Sequence, residues 1–175
     1  MIDDLSLRRL IHWGLLIVFA AITVFMRILP VDLSPGSWPG PDLILLLCFA
    51  WVMRRPDFVP IPLAGLLLLI ADFIFMQPPG LWAAFGVLAI EFLRPNRIDQ
   101  SETPFMLEWF EVAVVLAAMI LANRFMLGLF SVPQHSLFLE TVFYLMNLAS
   151  YPIVVIMSVR VLGVRRPYTT AELRR

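Results

Sequence analysis

Apolar residues in this chain come in six long, nearly uninterrupted runs, separated by short clusters of proline, glycine or charge. A membrane barrel would need alternating segments of roughly 10 residues in even number, so continuous runs point to helices. They predict helices over residues 10–29, 41–53, 58–76, 80–93, 109–130 and 137–164. The first run follows Arg8 and Arg9 and is ended by Pro30. It exceeds the roughly 7–15 apolar residues of a signal-peptide core, so it is expected to stay as a helix of the mature protein. Pro39-Gly40-Pro41-Asp42 introduces the second. Proline lacks the donor that a helix start would orphan, and Asp42 complements the positive helix end.

The second and fourth segments are short. Roughly 13–15 residues give about 20 Å, against a hydrocarbon core of about 30 Å, so they either cross with help from their neighbours or re-enter. Arginine placement chooses between these, because cytoplasmic loops collect basic residues. With six spans and both termini inside, the cytoplasmic side receives Arg8-Arg9, Arg54-Arg55, Arg94, Arg97, Arg165-Arg166 and Arg174-Arg175, and the three outer connections hold no basic residue. Re-entrant short segments would put Arg54-Arg55 among those arginine-free connections. The sequence therefore predicts an all-α, polytopic membrane bundle of six helices, two of them short. The whole chain, 1–175, forms a single domain with N-terminus and C-terminus in the cytoplasm.

Composition agrees. The chain is 61% hydrophobic and 15% charged, with a mean hydropathy of +0.87, against about 45–50% and about 25% in soluble domains. Zero net charge argues against nucleic-acid binding, which needs a basic surface. Cys48 stands alone inside an apolar run and reads as a small hydrophobe. The outer loops are too small to fold alone.

Candidate chemistry lies in ionisable residues inside the membrane. Asp72, Arg124 and Glu140 fall roughly 6–10 Å below the outer boundary when counted from their helix ends. A charge at such depth costs at least about 2.5–3.5 kcal/mol, so it faces the bundle and pairs. Arg124 is expected to pair with Glu140, its antiparallel neighbour, or with Asp72. The simplest role is an ion pair fixing helix register, and the alternative is a proton or substrate relay. Arg27 is expected to find Asp32 or Asp42. Glu91 can bond locally to Arg94, and Glu108 and Glu111 suit the positive end of the fifth helix. Asn123 and Asn147 are candidates for hydrogen bonds between helices, and Pro152 should kink the sixth. Arg54 and Arg55, or Arg94 and Arg97, are topology determinants that also offer contacts to cytoplasmic partners or anionic lipid.

No catalytic constellation is visible, and no cofactor or metal site. His12 and His135 fall at opposite membrane faces, and there is no Gly-x-Ser-x-Gly elbow, P-loop or dinucleotide fingerprint. Asp72 and Glu140 as an aspartyl pair would be held ionised by Arg124 rather than share a proton.

The stretch from Pro41-Asp42 and its apolar run, through Arg55-Pro56, Pro62-Leu63-Ala64-Gly65-Leu66 and Ala71-Asp72-Phe73, to Pro78-Pro79-Gly80-Leu81 resembles the rod shape-determining protein MreD family. That family shows a Pro-Asp apolar run, a glycine followed about seven residues later by an intramembrane aspartate, and a Pro-Leu-Gly-like outer turn; here the turn reads Pro79-Gly80-Leu81. The resemblance implies a non-enzymatic scaffold of the bacterial inner membrane that supports peptidoglycan synthesis during elongation. Its partners would be an MreC-like membrane protein, a RodA-type glycosyltransferase with its class-B penicillin-binding protein, nearby MreB and membrane lipids. Asp72 matches the family's aspartate. The family is also similar to the six-helix S components of vitamin transporters, so the alternative is a small-molecule-binding subunit of that kind. The first connection offers it only Asp32, Ser34, Ser37 and Trp38 as polar groups.

Overall fold

A computed structural model describes residues 4–29, 39–94, 104–134, 136–160 and 164. Six α-helices follow in order: α1 (Asp4–Ile28), α2 (Leu43–Val52), α3 (Ile61–Ile74), α4 (Leu81–Leu93), α5 (Phe105–Leu129) and α6 (Leu137–Arg160). A one-turn 3₁₀ segment, Pro56–Phe58, joins α2 to α3, and no strand occurs among the described residues. The chain is all-helical. Three helices are long and apolar enough to cross a membrane: Arg9–Ile28 within α1, Phe105–Leu129 and Leu137–Arg160. The other three have 10, 14 and 13 residues.

Proline sets several of these limits. Pro60 precedes α3, which therefore starts at Ile61 and not at the expected 58, and Pro104 precedes α5, which starts a turn earlier than expected. Pro152 lies inside α6, which continues through it. Proline has no N–H for the carbonyl four residues back, and the indole Nε1 of Trp109 donates to that Leu148 carbonyl at 3.0 Å.

The core gathers around α2. Every residue from Ile44 to Val52 is buried, with Leu45 to Val52 at 0% exposure, and α1, α3, α4 and α6 all pack against it. A helix apolar on all sides belongs in a protein interior. Gly86 of α4 lies against Leu45 and Leu68, and a Cβ there would come within 2.7 Å of the Leu68 side chain. By contrast, α1 and the outward faces of α5 and α6 expose large apolar side chains such as Phe25, Phe125 and Ile153, as lipid-facing surfaces do.

α5 and α6 also outreach the short helices. The α2 entry at Asp42 meets Asn147, yet α6 begins at Leu137, which is about 15 Å farther along its axis. The bundle therefore has a basic end, where α2 stops at Arg54, and a far end, where the α5–α6 pair rises past the α2 and α4 N-termini.

Candidate functional site

The polar side chains form two groups, one at each end. At the basic end, Arg54 follows α2, Glu108 stands in the first turn of α5, and Tyr151 lies midway along α6. Arg54 Nη1 donates to Glu108 Oε1 at 2.7 Å and Nη2 to Oε2 at 3.2 Å, a two-pronged pair. The Tyr151 hydroxyl donates to Glu108 Oε1 at 2.5 Å. Arg54 Nη1 also meets the Ala50 carbonyl near the α2 C-terminus at 2.9 Å. Each charge sits where its helix dipole favours it, an acid at a start and a base at an end. The Arg54 and Glu108 side chains are only 6% and 1% exposed.

This cluster corrects the expectation for Arg54. Offered as a surface contact, it is turned inward, because a carboxylate waits at the same depth on α5. Arg55 keeps partial exposure and lies over the Phe58 ring. Arg94 Nη2 donates to the Val59 carbonyl at 2.7 Å, and its Nε lies 3.5 Å from Glu91. Arg97 lies outside the described residues, as do His135 and most of the first connection.

At the far end, two aspartates cap the two short helices that start there. Asp42 is the N-cap of α2, its Oδ1 accepting from the Leu45 N–H at 3.1 Å. Its Oδ2 accepts from Trp82 Nε1 at 2.8 Å, and its own N–H donates to Asn147 Oδ1 at 2.9 Å. Asp72 serves α4 from a neighbouring helix. The N-cap position of α4 is Gly80, with φ +84° and no side chain to offer, and Asp72 Oδ2 accepts from the N–H groups of Gly80 and Ala83 at 3.0 and 3.1 Å. The first N–H groups of a helix have no partner within it, and where the start is buried the protein must supply the acceptors. Asp72 is 1% exposed, and its Oδ1 has no hydrogen-bond partner among the described residues.

Arg124 and Glu140 meet at 2.7 Å, with side chains 30% and 22% exposed. Asp72 does not join them, since its bonded oxygen faces the α4 backbone. The three expected network members are thus one ion pair and one separate helix cap. Arg27 does not pair with Asp42, whose carboxylate is engaged by Trp82 and Leu45. Instead it donates to the Gly40 and Pro41 carbonyls at 2.6 and 3.0 Å and lies 4.9 Å from the Phe75 ring centre; Asp32 is outside the described residues. A cavity of about 1330 Å³ opens above the short helices, between the end of α1 and the projecting α5–α6 pair.

Sequence reasoning missed the Arg54–Glu108–Tyr151 cluster. The available signal was an arginine and a glutamate of opposite sign at matching depth, each beside an apolar run. Among the described residues no group of three or more metal-binding side chains converges. In comparisons with known proteins, no family model, curated protein or solved structure matches this chain.

Proposed function

We propose that this chain is a non-enzymatic scaffold subunit of the bacterial cell-elongation machinery, resembling MreD. In this reading the short helices also cross the bilayer, giving six spans, and the basic end with both termini faces the cytoplasm. The far end then opens to the outside of the inner membrane. An MreC-like protein would bind along its lipid-facing helices, beside a RodA-type glycosyltransferase and its class-B penicillin-binding protein, with MreB on the cytoplasmic side.

The observation that carries the reading is the joinery of the motif residues. Asp42, Asp72 and Gly80, which bear the resemblance, all serve helix starts. A motif engaged in holding backbone together suits a subunit whose work is to present a fixed surface. Depletion in the native cell, with imaging of cell shape and co-purification with an MreC-like protein, tests it. The expected result is rounded cells and a stable complex; normal rods with a failure of vitamin uptake would overturn the scaffold reading.

A further inference from the structure

The far-end cavity has a charge imbalance that neither helix capping nor ion pairing explains. Among the described residues, two charged ones line it, Arg27 and Glu140. Glu140 is neutralised by Arg124 at 2.7 Å. Arg27 touches only neutral carbonyls and the Phe75 ring, and no carboxylate reaches it among the described residues. Gln77 and Asn123 add amides to the lining. Arg27 stands exposed in the last turn of α1, and a guanidinium near a bilayer surface attracts anionic headgroups.

The remaining walls are apolar, including Met26, Phe75, Leu127 and Phe143. Its volume is about 1330 Å³. Its rim reaches the lipid-facing surface, with Met26 62% and Met76 93% exposed. A soluble metabolite would leave this apolar rim uncovered, whereas an acyl chain covers it.

We propose that the cavity binds an anionic phospholipid of the adjoining leaflet, its phosphate against Arg27 and its acyl chains along Phe75, Leu127 and Phe143. Arg27 is well suited, because a planar guanidinium offers several donors to phosphate oxygens and keeps others for the Gly40 and Pro41 carbonyls. The inference stands apart from the scaffold reading, since a lipid site is compatible with either role of the chain.

The test is thermal unfolding of the full-length chain in nanodiscs of phosphatidylcholine, titrated with phosphatidylglycerol and, separately, with soluble glycerol phosphate and inorganic phosphate. Phosphatidylglycerol should raise the midpoint in a saturable way, while further phosphatidylcholine and both soluble anions leave it unchanged. Arg27→Gln should weaken half-saturation about tenfold, the order expected for one lost hydrogen bond between charged groups. Arg9→Gln, at the basic end, should not. Leu127→Trp, which narrows the wall along which the acyl chain would lie and is not itself a contact of Arg27, should weaken the saturable rise and serves if Arg27→Gln does not fold. The proposal fails if phosphatidylcholine stabilises equally, or if Arg27→Gln or Leu127→Trp titrates like the wild type. It also fails if the soluble anions match phosphatidylglycerol, an outcome that would favour a transporter subunit for polar solutes.

Discussion

The two ends of the bundle bury carboxylates in different ways. At the basic end, Glu108 is met by side chains: a guanidinium and a phenol close around it, and charge cancels charge. At the far end, Asp42 and Asp72 are met by backbone N–H groups and one indole, and among the described residues no arginine forms an ion pair with either. The basic-end cluster links three helices that each pass through the core, so it fixes how α2, α5 and α6 register. The aspartates act more locally, completing the starts of the short helices α2 and α4. One design confines net charge within a closed pair. The other compensates anions with peptide dipoles and leaves a cation, Arg27, beside an open cavity.

The largest effects should follow from opening the closed pair. Glu108→Ala leaves a buried guanidinium alone and should cost about 3–5 kcal/mol of stability, read by reversible unfolding in mixed micelles. Replacing both partners, Arg54→Met with Glu108→Leu, should recover most of that loss, because a well-packed apolar pair of similar volume needs no compensation. A double variant as unstable as the single one would show that the cluster matters for something beyond pairing.

Asp72 comes next. Asp72→Ala strips the acceptor from two donors at the α4 start and should cost about 1–3 kcal/mol. Asp72→Asn keeps an oxygen in place and should cost clearly less. Equal losses for the two would mean that charge, and not capping, is what Asp72 supplies, erasing the distinction between the ends.

How much of this was legible in the sequence follows from what each feature depends on. The start of α2 was readable at Asp42, because capping is local chemistry. The shared depth of Arg124 and Glu140 was readable too, since helical rise converts residue number into distance along an axis. The inward turn of Arg54 was not, because Arg54 and Arg55 carry the same charge and hydropathy and only the three-dimensional position of Glu108 separates them. Nor were the partners of Asp72 visible, because the groups that hold it are peptide N–H groups that no side-chain pattern marks. The reach of α5 and α6 past α2 lay in the segment lengths, but the cavity it creates depends on how far α1 leans from α6.

Smaller effects are expected where the polar groups are part-exposed. Arg124→Ala and Glu140→Ala should show a coupling of about 0.5–1 kcal/mol in a double-mutant cycle, the modest size of a pair open to its surroundings. A coupling as large as that of Arg54 with Glu108 would move this pair into the class of the closed cluster.

The smallest predicted effect concerns the seam between the ends, where Trp109 donates to the Leu148 carbonyl left without its helical donor by Pro152. Trp109→Phe removes that donor and keeps an aromatic ring. Hydrogen bonds between membrane helices average about 0.6 kcal/mol, so the loss should be near that value plus a packing term. Pro152→Ala separates the two contributions, because alanine restores the N–H that bonds the same carbonyl within α6. In that background Trp109→Phe should cost only the packing term, and the difference between the two costs is the hydrogen bond itself. Equal costs in both backgrounds would mean that the indole acts by filling space alone, and the backbone repair seen at Asp72 would have no counterpart in the middle of the bundle.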